Sequence, residues 1–231
     1  MFPFFFDSTM ILLLPGFFLA LWAQFKVKST FRKYDQYDSH SGMTGAQIAQ
    51  DILNRGRLGV EVDHIKGKLT DHYDPRDNTL RLSDSTYGSR SLAAIGVAAH
   101  EAGHAFQHAS GYVPLSLRSN LVPVANFGST LGMPMFFIGF FFQWGILVEV
   151  GIVLFSFAVL FGLVTLPVEF NASNRAIQML SEGGYLTQEE IPVARKVLNA
   201  AAWTYVASAL VAVLSLLRLL IISGLLGGSD D

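Results

Sequence analysis

Four long apolar runs constrain this chain more than any other feature. Residues Phe2 to Gln24 are almost wholly apolar, with Asp7 the only charge. Leu121 to Trp144 and Gly145 to Pro167 follow, the latter with Glu149 near its start, and Ala201 to Leu226 is the last, with Arg218 inside it. A helix of about 20 residues crosses a hydrocarbon core of roughly 30 Å. Lipid offers no partner for a backbone N–H or C=O, so a single run of this kind must bond within itself as a helix. With 51% hydrophobic and only 15% charged residues, the 231-residue chain reads as a mainly α membrane protein rather than a soluble one.

The flanks set the expected topology. No basic segment precedes the first run and no clear A-x-A site follows it, so it reads as an uncleaved signal anchor rather than a signal peptide. Lys26, Lys28, Arg32 and Lys33 come next, and basic residues at the end of a span favour the cytoplasm. The second and third runs are joined by almost nothing, which predicts a transmembrane hairpin with Gln143 and Glu149 at its outer tip. Two crossings return the chain to its starting side, so the polar stretch after Pro167 shares a face with the polar stretch before Leu121. The expected divisions are an anchor at 1–24, a soluble domain at 25–120, a hairpin at 121–167, a helical segment at 168–200 and a final transmembrane helix at 201–227.

Within the first polar stretch, Thr44 and Gln47 have capping-box spacing. Ile48, Ile52 and Leu53 then recur at helical intervals, predicting a helix from Gly45 to Asn54. Leu58, Val60 and Val62 alternate with polar residues as in a strand. Asp74-Pro75-Arg76-Asp77-Asn78 is a turn, and Thr79 to Ser83 alternates again. Ser89 or Ser91 caps a predicted helix over Ser91 to Ser110.

That helix carries His100-Glu101-Ala102-Gly103-His104. Residues four apart share a helix face, so both imidazoles can reach one metal ion, and Glu101 beside them can move a proton of the water nucleophile. The chain has no cysteine, so zinc here must be held by histidine and carboxylate. The candidate third ligand is Glu169, just after the third run and on the side that parity requires. The competing reading is a solvated glutamate at a helix N-terminus, where the dipole favours it. The longer metzincin pattern does not fit, because Gln107 and Ser110 stand where it needs glycine and histidine. His108 lies one turn past His104 and is expected to drift off the metal. A net charge of -2 gives no footprint for nucleic acid.

Several stretches together resemble the YugP-like membrane zinc metallopeptidases of bacteria. They are Thr70-Asp71-His72-Tyr73-Asp74-Pro75-Arg76, Thr79 to Ser83, Gly96 to Ala105 around the paired histidines, and Leu166-Pro167-Val168-Glu169-Phe170-Asn171-Ala172-Ser173. The resemblance covers nearly the whole chain, with the motifs in order. A more distant similarity is to HtpX and the CAAX prenyl proteases, whose third-ligand glutamate lies in an E-x-x-A-D context. Here Ser173 stands where those relatives have aspartate. The resemblance implies a small α+β zincin-like domain, a Zn2+ cofactor and peptidase activity.

On this reading His100, His104 and Glu169 bind zinc and Glu101 is the general base. His72, Tyr73 and Arg175 are the candidate oxyanion donors, and Thr79 to Ser83 is either a core strand or an edge strand that pairs with a peptide. The expected substrates are membrane or membrane-proximal proteins, and the expected location is the bacterial inner membrane with the site on the cytoplasmic side. The alternative is a non-proteolytic zinc-binding membrane scaffold. A metal transporter is disfavoured, because the runs hold few ionisable groups, mainly Glu149 and Arg218.

Overall fold

A computed structural model describes residues 8–226. Asp7, the start of the first apolar run and the tail at 227–231 lie outside the described residues. The elements are α1 (Leu14–Tyr34, entered through a 3-10 turn at Ser8–Leu13), α2 (Gly45–Arg55), β1 (Glu61–Ile65), β2 (His72–Asp74), β3 (Thr79–Ser83), α3 (Leu92–Ala109), α4 (Val113–Phe141), α5 (Gly145–Glu182) and α6 (Ile191–Ile222). Among the described residues, α1 with its lead-in, α4, α5 and α6 are the four helices long and apolar enough to span a bilayer. The protein is a mainly α membrane protein with a small three-stranded sheet.

The residues fall into two compact units. One comprises Met1–Ala23, Leu117–Leu166 and Thr204–Asp231; the other comprises Gln24–Ser116 and Pro167–Trp203. In the first, α4 and α5 form an antiparallel hairpin turned by residues 142–144, where Gln143 adopts φ 57°. Their backbones pack closely through glycine. A Cβ on Gly128 would lie 2.1 Å from the Leu154 carbonyl, and one on Gly151 would lie 2.8 Å from the Gly132 carbonyl. Lipid supplies no hydrophobic drive between helices, so contact of this kind is what holds such a pair. Arg218 is buried, and its Nε donates to Thr9 Oγ1 at 3.0 Å. This gives the costly intramembrane charge a polar contact.

In the second unit, β3 is the central strand. β1 pairs with it in parallel (Glu61↔Thr79) and β2 antiparallel (His72↔Arg81, Tyr73↔Leu80), giving the order β1-β3-β2. β3 is thus a core strand with Leu80 and Leu82 fully buried, which removes the possibility that it is a free edge. The edges are β1 and β2. Ile48, Ile52 and Leu53 of α2 pack with Ile95, Ala98, Ala99 and Ala102 of α3 against these strands, and Leu180, Tyr185 and Leu198 close the cluster.

Several boundaries differ from the sequence expectation. β1 starts at Glu61, three residues after the alternation begins. α4 starts at Val113, well before its apolar run. No helix starts at Pro167; α5 runs unbroken through it to Glu182. A proline removes one backbone bond but is tolerated in a membrane helix whose neighbours restore the loss. The polar segment after it is therefore the end of one long helix, a turn and the start of another. That turn is stapled by a reciprocal pair, Glu190 Oε2 accepting from Thr187 N at 2.8 Å and Thr187 Oγ1 accepting from Glu190 N at 3.3 Å.

Ser91 is the N-cap of α3. Its Oγ accepts from Ala94 N at 3.1 Å and donates to Asp35 Oδ1 at 2.9 Å. Losing an N-cap costs about 1 kcal/mol, so Ser91→Ala should lower the thermal midpoint of the purified protein by a few degrees. Bound metal per chain should be unchanged, because the cap lies more than two turns from His100.

Candidate metal centre

α3 brings His100 and His104 onto one face, with ring centroids 4.8 Å apart. α5 brings Glu169 to the same point, placing its Oε2 3.2 Å from His100 Nε2 and 3.6 Å from His104 Nε2. The approach depends on Gly103, between the two histidines. A Cβ there would sit 2.7 Å from the Ala172 carbonyl on α5, so a side chain would push the helices apart.

One ligand atom from each of the three residues lies within 4.8 Å of the others. Zinc bonds of about 2.0–2.1 Å meeting at the tetrahedral angle put ligand atoms about 3.3–3.4 Å apart. The two distances to Glu169 bracket that value, and two imidazoles with one carboxylate are a donor set that suits zinc. Glu169 is 2% exposed. The electrostatics also favour a cation. Burial lowers the pKa of His104, but Glu169, Glu101 and Gln107 together raise it above 6.5. The field that stabilises a proton there also stabilises a metal ion.

The outward nitrogens of both rings are engaged. His104 Nδ1 lies 2.9 Å from Gln107 Oε1, and Gln107 Nε2 donates to the Val168 carbonyl at 2.8 Å and to Asn171 Oδ1 at 3.0 Å. Since the amide nitrogen is spent as a donor, Oε1 must accept from His104 Nδ1–H. That fixes the tautomer and leaves the Nε2 lone pair facing Glu169. His100 Nδ1 lies 3.2 Å from Ser173 Oγ, which can accept in the same way. The serine thus supports His100 without a charge, and α5 holds both rings.

Glu101 is 9% exposed and is held from β2, its Oε2 accepting from the Tyr73 backbone N–H at 3.1 Å. That amide points away from β3 because β2 is an edge strand. The Tyr73 phenol donates to Asn78 Oδ1 at 3.0 Å and lies 2.8 Å from His108 Nδ1. Burial, then Asp74 and Asp77, raise its pKa, so it stays un-ionised. His108 is spent on this contact and is not one of the three grouped residues.

The other two singled-out residues are engaged elsewhere. His72 Nδ1 lies 2.9 Å from the Thr70 carbonyl, and Arg175 Nε donates to Asn171 Oδ1 at 2.9 Å. Arg175 therefore joins the chain Asn171–Gln107–His104. Gln107 and the Tyr73 amide are the participants that sequence reasoning did not assign. The available signal for Gln107 was its position three residues after His104, one turn along the same face.

Two histidines of an H-E-x-x-H helix and a glutamate from a second helix define the donor set of a zinc-metallopeptidase-like membrane protein. A sequence profile of the family described as "putative neutral zinc metallopeptidase" matches residues 9–224, and the chain belongs to that family. It is 48% identical over 215 residues to a Bacillus subtilis (strain 168) protein named "Putative membrane protease YugP", covering 92% of this chain and 94% of that one. No solved structure matches it significantly.

Residues that orient metal-binding histidines are typically worth 10–100-fold in metal affinity. Gln107→Leu keeps the volume of this fully buried side chain and removes its bonds to His104, Val168 and Asn171. Zinc affinity, measured by competition with a chromophoric chelator, should fall by about 10–100-fold.

Proposed function

We propose that this protein is a zinc-dependent endopeptidase that cleaves membrane or membrane-proximal proteins. The observation that carries the reading is the grouping of His100, His104 and Glu169 with Glu101 held beside it by the Tyr73 amide. In this reading His100, His104 and Glu169 are the zinc ligands. Zinc held there would supply Lewis acidity and an acidified water near neutral pH.

Glu101 takes a proton from the water as oxygen adds to the peptide carbonyl. It delivers that proton to the amide nitrogen as the C–N bond breaks. The bond from Tyr73 N–H keeps the carboxylate directed. His72 and Arg175 are the candidate oxyanion donors, each with one nitrogen already committed and others left over. For His72 the remaining Nε2 donates only when the ring is protonated. Arg175 keeps two terminal amines in a group that is always charged.

An extended substrate that pairs with the sheet would do so at an edge strand rather than at β3, and the outward Tyr73 amide of β2 is already given to Glu101. Glu169 lies on a helix long enough to span the bilayer, which favours substrates whose scissile bond is close to the membrane. The basic residues Lys26 to Lys33 after the first span support a cytoplasmic site, in the inner membrane of a bacterium. The name of the Bacillus relative supports the protease reading.

Casein cleavage by the purified chain tests this. Glu101→Gln should lower the rate by roughly 10²–10⁴-fold with zinc content retained, and Glu169→Ala should lose zinc and activity together. Undiminished cleavage by Glu101→Gln would overturn this reading, and no cleavage by the parent with zinc bound would leave the alternative, a zinc-binding scaffold without proteolysis. Full zinc retention by Glu169→Ala would remove that residue from the ligand set.

A further inference from the structure

The second unit contains a basic cleft that the peptidase reading does not use. α1 and α6 pack together through Phe31 and Val197, which form a small buried cluster with Ala93. Beside that seam lies a cleft of about 270 Å³, lined by Lys26, Thr30 and Lys33 of α1 and by Lys196, Asn199 and Trp203 of α6. The spacing on α1 is i, i+4, i+7 and on α6 i, i+3, i+7. Each set is therefore one helical face, and the two faces converge on the cleft.

Three features indicate what this cleft takes. First, it holds three ammonium groups and no carboxylate in its lining, on a chain whose net charge is -2. Among the described residues, none of the three lysines has an acidic partner within ion-pair distance. Lys33 Nζ instead sits 5.3 Å from the Tyr34 ring centroid, which attracts a cation but does not neutralise it. Second, the cleft lies where two spanning helices pass from apolar to polar sequence, and Trp203 is 43% exposed there. Tryptophan and lysine are the residues that mark the lipid headgroup level. Third, Lys26 and Lys33 are two turns apart, about 10 Å along the axis at 1.5 Å per residue, so the positive groups are spread along the membrane normal. A volume of about 270 Å³ holds roughly nine water-sized groups at 30 Å³ each, the scale of a phosphate with a small polar substituent.

We propose that this cleft binds the phosphate headgroup of an anionic phospholipid. Lys26, Lys33 and Lys196 pair with the phosphate charge, Thr30 and Asn199 offer neutral hydrogen bonds, and Trp203 packs at the glycerol level. The acyl chains lie along the apolar flanks of α1 and α6. The other basic residues nearby, Lys28, Arg32 and Arg195, are absent from the lining and provide a control of equal charge.

The experiment is native mass spectrometry of the full chain in detergent, titrated with short-chain phosphatidylglycerol or with phosphatidylcholine of the same chain length. The parent should bind phosphatidylglycerol in preference. K26Q/K33Q/K196Q should weaken that binding by roughly tenfold or more, and K28Q/R32Q/R195Q by less than about threefold. Equal losses in the two triple variants would reduce the effect to a diffuse positive field and overturn the site, as would no preference in the parent. Inorganic phosphate displacing the lipid would assign the cleft to a free anion instead. Thermal midpoint and zinc content serve as folding controls. Should the pocket triple fail to fold, Lys196→Gln against Arg195→Gln makes the same comparison with one charge each.

Discussion

A carboxylate buried to 2% exposure between two imidazoles is the interaction on which the rest of this structure depends. Placing Glu169 there is expensive unless positive charge or strong hydrogen-bond donors meet it. Both Nε2 atoms are within 3.6 Å of its Oε2, and the three groups could hold a metal ion. Two helices from distant parts of the sequence must therefore meet closely and in one rotation. Gly103 permits the approach, since the Ala172 carbonyl occupies the space a side chain would need.

The support around that point comes largely from α5. Ser173 reaches His100, and Gln107 ties His104 to Val168 and Asn171. Neither support is charged, unlike the aspartate of the more distantly similar proteases. The Gln107 amide keeps the His104 ring in one tautomer, and neither partner adds a further buried charge beside Glu169 and Glu101. The helix that supplies the third candidate ligand thus also sets the rotation of the other two. Glu101 is held from another direction, by an edge strand of the sheet. The three grouped residues and Glu101 are anchored on separate elements, so a change in one need not misplace the other.

The spanning helices and the polar unit share chain rather than merely adjoining in sequence. α5 and α6 each run from an apolar half into a polar half without a break. Glu169 therefore lies on a helix that is long and apolar enough to cross a bilayer. The basic cleft between α1 and α6 lies wholly within the polar unit, with Lys26, Lys33 and Lys196 in its lining.

Much of this was legible in the residues alone, because the signals are local. Apolar length specified the spans, the pair His100 and His104 specified a shared helix face, and Thr44 with Gln47 specified the start of α2. Parity selected Glu169 because an even number of crossings is a topological fact that needs no coordinates. What the sequence could not decide was how separate segments meet. Alternation shows that Thr79 to Ser83 is a strand but not that β1 and β2 flank it, since strand order is set by long-range pairing. A proline reads as a helix start, yet α5 passes through Pro167, because packed neighbours can restore the single backbone bond it removes. Gln107 and the Tyr73 amide carry no motif, for their roles exist only once α5 and β2 lie against α3. The sequence by itself determined the apolar spans, the helix that pairs His100 with His104 and the type of donor groups available. Only the tertiary structure decided which buried neighbours orient them, because a hydrogen bond between residues 61 positions apart depends on packing rather than on periodicity.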